Sequence, residues 1–497
     1  MIENLALGLS VAMTFHNLGF AFIGCMIGTA IGVLPGIGPL ATIALLLPLT
    51  FALDPITALI MLSGIYYGAQ YGGSTSAILL NLPGEVTAVV TTLEGHKMAK
   101  RGRAGAALAT AAIGSFFAGT VATLVVAASG PLLTDLALSF GPAEYFSLIL
   151  LGLIIATVLA QGSIFKSIAM LVLGVALGLV GTDVQSGQVR FSFGFFELFE
   201  GIDFVAVAMG IFGVAEIIRN LEHPENRSGT VAKVGSLMLT KEEFKRATPS
   251  VIRGTIVGSI LGILPGGGLA LSTFASYMLE RKVSKYGHEF GTGAIEGVAG
   301  PESANNAASQ TSFIPMLTLG IPANAVMALM IGGLMIHGIQ PGPGVIQAQP
   351  ALFWGLIVSM WIGNLMLLVI NLPLIGMWVS LLRLPYKYLY PAILVFCAIG
   401  VYSVNYSPFN VFETVLFGFL GYLFFKLALE PAPLLIGFVL GPMLEEYLRR
   451  AMVVSRGSAW VFVERPVSAV LLAIAALALG AMLLPSIRRK KDQALEE

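Results

Sequence analysis

The chain is poor in charge. Of its 497 residues only 11% are Asp, Glu, Lys or Arg, against about 25% in a soluble domain. The charges also cancel, 27 basic against 27 acidic, which leaves no electrostatic case for a nucleic-acid partner. Cysteine is nearly missing. Cys25 and Cys397 both lie in apolar runs and read as buried small hydrophobes. There is no HExxH, no GxSxG, no phosphate-binding loop ending in Gly-Lys-Ser/Thr, and no Cys/His cluster with metal spacing, so enzyme chemistry finds little support. Lys and Arg are absent from residues 1–96, and the N-terminus lacks a basic region, which predicts no cleaved signal peptide.

What the chain does have is apolar length. Hydrophobic residues make up 56% and the mean hydropathy is +0.88. Continuous apolar runs of spanning length recur from end to end, which predicts an all-α polytopic membrane protein with about 10–14 membrane segments. The runs do not alternate, which argues against a β-barrel.

One stretch occurs twice. Residues 24–42 read GCMIGTAIGVLPGIGPLAT and residues 254–272 read GTIVGSILGILPGGGLALS. Gly24, Gly28, Gly32, Leu34, Pro35, Gly36 and Gly38 fall on Gly254, Gly258, Gly262, Leu264, Pro265, Gly266 and Gly268. Glycine every fourth residue makes a smooth helix face for close packing, and Leu-Pro-Gly then stops the helix inside apolar sequence. A second likeness follows. GAQYGGSTSAI (68–78) lies over ANNAASQTSFI (304–314), with Thr75-Ser76 on Thr311-Ser312; Leu82-Pro83-Gly84-Glu85 then matches Ile321-Pro322-Ala323-Asn324 after a three-residue shift. The reading is two structural repeats, 16–103 and 249–344, containing helical hairpins and broken helices.

Basic residues orient the chain. By the positive-inside tendency the cluster at 96–103 is cytoplasmic, as is the Lys/Arg-rich stretch 219–253. This divides the chain into a first membrane half (1–218), a cytoplasmic linker (219–248), a second membrane half (249–487) and a cytoplasmic tail (488–497). The loop 183–200 faces outside. The second hairpin has cytoplasmic flanks, ending at Glu280-Arg281-Lys282. Inverted copies would place the flanks of the first hairpin outside, and the lack of Lys and Arg before Lys97 permits that.

Backbone that leaves the helix inside a bilayer survives only within protein or along a watery cavity, because each unpaired group costs several kcal/mol in lipid. A half-helix start suits an anion, freed carbonyls suit a small cation, and corresponding breaks in two halves point to a transport site. The candidate substrate and ion site therefore comprises Pro35, Gly36, Gly38, Ser74, Thr75, Ser76 and Asn81 in the first half. In the second it comprises Pro265, Gly266, Gly267, Asn305, Asn306, Ser309, Gln310, Thr311, Ser312 and Asn324. Neutral hydroxyls and amides can hold a carboxylate, or complete the oxygen shell of a sodium ion at the same clusters. The bland alternative is hydrogen bonding between helices. Glu85, Glu296 and Glu302 sit beside the breaks, where ion or proton binding competes with a capping role. Ser76→Ala or Asn306→Ala should impair uptake with membrane expression intact.

Four stretches, GVLPGIGPLATIALLLPLTF, YYGAQYGGSTSAILLNLPGE, EGHKMAKRGRAG and GPESANNAASQTSFIPMLTLGIPAN, resemble the large membrane subunit of bacterial tripartite tricarboxylate transporters. The similarity runs over essentially the full length. It implies a secondary transporter of the bacterial inner membrane, driven by an ion gradient (Na+ or H+) without a cofactor. Its partners would be a small membrane subunit of about four spans and a periplasmic substrate-binding protein; its cargo would be citrate or a related carboxylate. An elevator motion of inverted repeats follows only by analogy of fold. A stand-alone cation-coupled organic anion symporter and an intramembrane enzyme are the rival readings.

Overall fold

The computed structural model describes residues 2–34, 38–160, 163–183, 185–222, 234–266, 268–382 and 389–483. It opens with α1 (Ile2–Ala12), α2 (Phe15–Val33), α3 (Pro39–Thr50) and α4 (Pro55–Leu80). A 3-10 turn leads to α5 (Val89–Met98), and beyond a kink at Gly102 come α6 (Ala104–Leu138), α7 (Pro142–Leu159) and α8 (Ile164–Gly178). The only strands among the described residues, Gly181–Thr182 and Val189–Arg190, pair antiparallel in the next loop. α9 (Phe204–Ala208) and α10 (Ala215–Glu222) join through a π-turn.

The second half holds α11 (Lys241–Leu261), α12 (Gly268–Val283), α13 (Glu296–Thr311), α14 (Phe313–Leu319) and α15 (Ala325–Ile336). It continues through α16 (Gly344–Ala348), α17 (Pro350–Asn371), α18 (Ile375–Leu381) and α19 (Leu389–Asn405). It ends with α20 (Pro408–Lys426), α21 (Ala432–Val454), α22 (Val461–Glu464) and α23 (Pro466–Leu483). Six stretches among the described residues are long and apolar enough to cross a membrane: Phe15–Val33, Val86–Leu138, Pro142–Leu159, Phe204–Glu222, Pro350–Asn371 and Pro408–Lys426. Five shorter apolar helices accompany them. The chain is an all-α polytopic membrane protein. Both cysteines are free and buried.

Close approach of helix pairs is what the glycine spacing produces. A Cβ at Gly24, Gly28 or Gly32 of α2 would lie 2.3, 2.2 or 2.3 Å from the carbonyl oxygens of Met61, Ile65 and Ala69 on α4. In the second half a Cβ at Gly254, Gly258 or Gly262 of α11 would lie 2.2, 2.2 or 2.5 Å from the carbonyls of Gly300, Ala304 and Ala308 on α13. With little hydrophobic drive between helices in lipid, such small-residue contact is a main source of association.

These contacts set a register. Met61 with Gly300, Ile65 with Ala304 and Ala69 with Ala308 are each 239 residues apart. The helix ends obey the same interval. Asn81 ends α4 in a left-handed conformation (φ 59, ψ 26) and Gly320 ends α14 likewise (φ 71, ψ 20). Glu85 (φ −152, ψ 169) and Asn324 (φ −156, ψ 176) are both extended N-caps. Placing Thr75-Ser76 on Thr311-Ser312 implies an interval of 236. Leu82 to Glu85 on Ile321 to Asn324 has the interval of 239; three residues are most of one helical turn, so a pattern of small residues matches almost as well in either register.

The sequence reads as interrupted at the polar stretch 71–76 and again at 81–85, and as starting its second copy near 249; the structure keeps only the break at 81–85 and starts the helix earlier. Residues 71–76 do not interrupt the helix; α4 runs unbroken to Leu80 and breaks at Asn81. The second arm starts earlier than residue 249, since α11 begins at Lys241 behind a Thr240–Glu243 capping box. The reason in the first case is local. Ser74 and Thr75 hydroxyls donate to the carbonyls of Gln70 (3.0 Å) and Tyr71 (3.3 Å) of their own helix, so the polar groups are satisfied without unwinding it.

Candidate substrate and ion site

α4 and α13 run through the interior with every residue from Thr57 to Leu80 and from Glu296 to Thr311 buried. Side chains that would lie on a polar face in a soluble helix are therefore forced to meet each other. The junction is Glu302 of α13. Ser74 Oγ of α4 lies 2.5 Å from Glu302 Oε2, and Thr91 of α5 donates to Glu302 Oε1. One turn on, Asn306 Nδ2 donates to Ser115 Oγ of α6 at 2.7 Å and to the Glu302 carbonyl at 3.1 Å. Elements from both sides of the linker thus converge on one carboxyl. Among the described residues no Lys, Arg or His pairs with it.

A second carboxyl sits nearby. Gln70 Nε2 donates to Glu85 Oε2 at 3.3 Å, while Thr87 donates to Gln70 Oε1 at 3.2 Å. Glu85 Oε1 is buried with no partner among the described residues. Asn305 is 1% exposed, and both its amide atoms are likewise without a partner. A buried amide left unpaired costs about 1–3 kcal/mol. Asn324 caps α15 through the Met327 N–H (3.0 Å) and reaches Tyr66 Oη at 3.4 Å.

The remaining expected residues take plainer roles. Ser76 Oγ lies 3.0 Å from Gly73 O of its own helix and 3.4 Å from Gly32 O across on α2, sharing its one hydrogen between α4 and α2. Ser309, Thr311 and Ser312 donate to carbonyls of their own helix. Gln310 Oε1 accepts from Thr123 at 3.4 Å. Asn81 is exposed and serves as the helix end rather than part of the buried cluster. Gly38 caps α3 beside open space. Gly266 N–H donates to Ala323 O at 2.7 Å, tying the tip after Pro265 to the break after α14. Pro35, Gly36 and Gly267 lie outside the described residues.

The reading of the sequence missed Thr91, Gln70, Tyr66 and Ser115, and set Glu302 beside a break when it is at the junction. Glu302 could have been found from its setting: a lone acid in the small-residue run GVAGPESANNAAS is costly in a membrane interior. Between α4 and α6 a cavity of about 10 Å³ is lined by Tyr71, Ser74, Thr75, Ser115 and Asn371 among others. That is room for about one water, so the cluster is closed around its own side chains in this arrangement.

Comparison with known sequences decides the family. The model of the tripartite tricarboxylate transporter TctA family matches residues 18–436. The chain belongs to that family. Both Leu-Pro-Gly stretches, Glu85 and Glu302 fall inside the matched region. An uncharacterised 52.8 kDa protein in the TAR-I ttuC' 3' region of Agrobacterium vitis is 60% identical over 497 residues, all of this chain and 99% of that protein. An uncharacterised protein in the TAR-II ttuC' 3' region of the same organism is 61% identical over 240 residues, covering 48% of this chain and 99% of that protein. No solved structure matches. A transporter family explains the polytopic helical fold and fits a multi-pass membrane location.

Proposed function

We propose that this chain is the translocating subunit of a binding-protein-dependent secondary transporter that moves tricarboxylates or related carboxylates across the bacterial inner membrane. A Na+ or H+ gradient drives it. A small membrane subunit of about four spans and a periplasmic binding protein complete the system. Membership of the TctA family supports this reading. The single structural observation that carries it is the convergence of Ser74, Thr91 and Asn306 on Glu302, beside the unpaired amide of Asn305. Buried polar groups at the meeting of interrupted helices from two halves are where a helical transporter holds its cargo.

In this reading the two hairpin-bearing units, 16–103 and 249–344, are inverted repeats, and they carry the site past the remaining helices in an elevator motion. Uptake of labelled citrate into proteoliposomes tests the proposal. Accumulation should require the small subunit, the binding protein and an ion gradient. Accumulation without the binding protein would favour a stand-alone symporter, and none under any gradient would remove the transport reading.

A further inference from the structure

Glu302 presents a hydrogen-bond problem. Ser74 Oγ lies between two acceptors, Gln70 O at 3.0 Å and Glu302 Oε2 at 2.5 Å. A serine hydroxyl has one hydrogen to donate and two lone pairs. Glu302 Oε1 already accepts from Thr91. All three contacts are satisfied together when Oε2 carries a proton and donates it to Ser74 Oγ, which then donates its own hydrogen to Gln70 O.

The surroundings agree. The carboxyl is 1% exposed. Glu85 and Tyr71 among the described residues act on it electrostatically, and neither could neutralise an anion. The arginines of α11 are spent elsewhere, Arg246 on Glu289 and Glu296 and Arg253 on Glu280. Glu94 of α5 is held by Tyr277 and the amides of Gly291, Gly293 and Ala294. α6 faces the site with Ser115. A bare buried carboxylate is so expensive that such groups neutralise instead. Direct hydroxyl–carboxyl contact leaves no space for a metal ion between the oxygens.

We propose that Glu302 carries the coupling proton of transport: it is neutral in the closed arrangement and ionises only when the site opens to water. This rests on the transport reading above. One proton from water on one side binds Oε2 as the site closes, and it leaves to water on the other side as the site opens. Proton, not sodium, is then the coupling ion at this position.

The test has two arms on the full-length protein. E302Q can donate to Ser74 and accept from Thr91, so it preserves the bonding. In detergent at neutral pH, the infrared difference spectrum of wild type against E302Q should contain the carbonyl band of a protonated carboxyl; its absence overturns the proposal. In proteoliposomes with the small subunit and binding protein, wild type should accumulate labelled citrate or succinate on an inward proton gradient. E302Q should still exchange label across the membrane but fail to accumulate it, while E302D should accumulate it with a shifted pH profile. Exchange and accumulation lost together in E302Q and E302D would mean a structural role and would overturn the proposal. So would normal accumulation by E302Q, or wild-type accumulation on a sodium gradient alone. A wild type that exchanges neither label removes the transport reading itself, whereas exchange without dependence on Glu302 removes only the proton assignment.

Discussion

Gly266 donates its backbone N–H to the carbonyl of Ala323 at 2.7 Å, so the tip of the second hairpin is bonded to the break that follows α14. Interrupted backbone inside a membrane protein must find partners within the protein. Here the two interruptions serve as partners for each other.

Gly266→Ala should therefore be destabilising. Gly266 has φ +100, and a Cβ would lie 2.4 Å from Ala156 Cα. Left-handed strain in a non-glycine residue costs about 1–3 kcal/mol. A lowered thermal midpoint in detergent checks it; an unchanged midpoint would show that the tip yields freely.

Two glycines of α2 should behave oppositely. Gly28→Ala puts a Cβ 2.2 Å from Ile65 O, so α2 and α4 must separate. Overpacking of this kind costs about 1–3 kcal/mol. Gly19→Ala meets nothing within 4 Å and should lie within about 0.5 kcal/mol of wild type. Equal stabilities in a denaturation series would contradict the close helix contact.

Contacts also separate Ser76 from Ser74 and Asn306. Ser76 bonds backbone carbonyls only, so Ser76→Ala should cost about 0.5–1.5 kcal/mol of stability and leave the half-saturation concentration for uptake unchanged. Ser74→Ala and Asn306→Ala remove groups bonded to Glu302 and should impair accumulation while the protein still reaches the membrane. Normal uptake kinetics in those two variants would remove the cluster from the mechanism.

The loop between α8 and α9 should resist acid. Hydrogen bonds from the Ser186 hydroxyl and the Gln185 N–H, and then the Arg449 guanidinium at 2.7 Å, hold Asp183 well below the ordinary aspartate value of 3.8. A carboxyl depressed in the folded state stabilises above its unfolded pKa, and that contribution fades as pH falls through the folded value. Hydrogen exchange in the peptide around residues 185–190 should thus stay slow down to pH 3.8 and rise only in stronger acid. Asp183→Asn should raise it already at neutral pH. Exchange indifferent to both changes would show that the Asp183–Arg449 pair does not anchor the loop.

Much of the fold was legible because a bilayer imposes simple rules. Apolar length marks helices, and glycine every fourth residue marks close packing, as Gly24 against Met61 and Gly254 against Gly300 bear out. The basic cluster at 96–103 sits at the α5–α6 kink, where Arg103 pairs with Glu243 of α11. Polar stretches were read less well. Tyr71 to Ser76 reads as a polar interruption, yet Ser74 and Thr75 bond their own helix; the break expected at Asn81 to Glu85 is where α4 ends.

By itself, the sequence determined the helical membrane class, the family resemblance and the Leu-Pro-Gly stretches, since hydropathy, proline and glycine act locally on the chain. Only the tertiary structure carried the 239-residue interval of Leu82 and Ile321 back along α4 and α13 and decided the meeting of Ser74, Thr91 and Glu302. Those depend on which faces of α4, α5 and α13 turn toward one another. Helices built almost wholly of small and apolar residues offer several nearly equal facings, and a single face is chosen only when the chains pack in three dimensions.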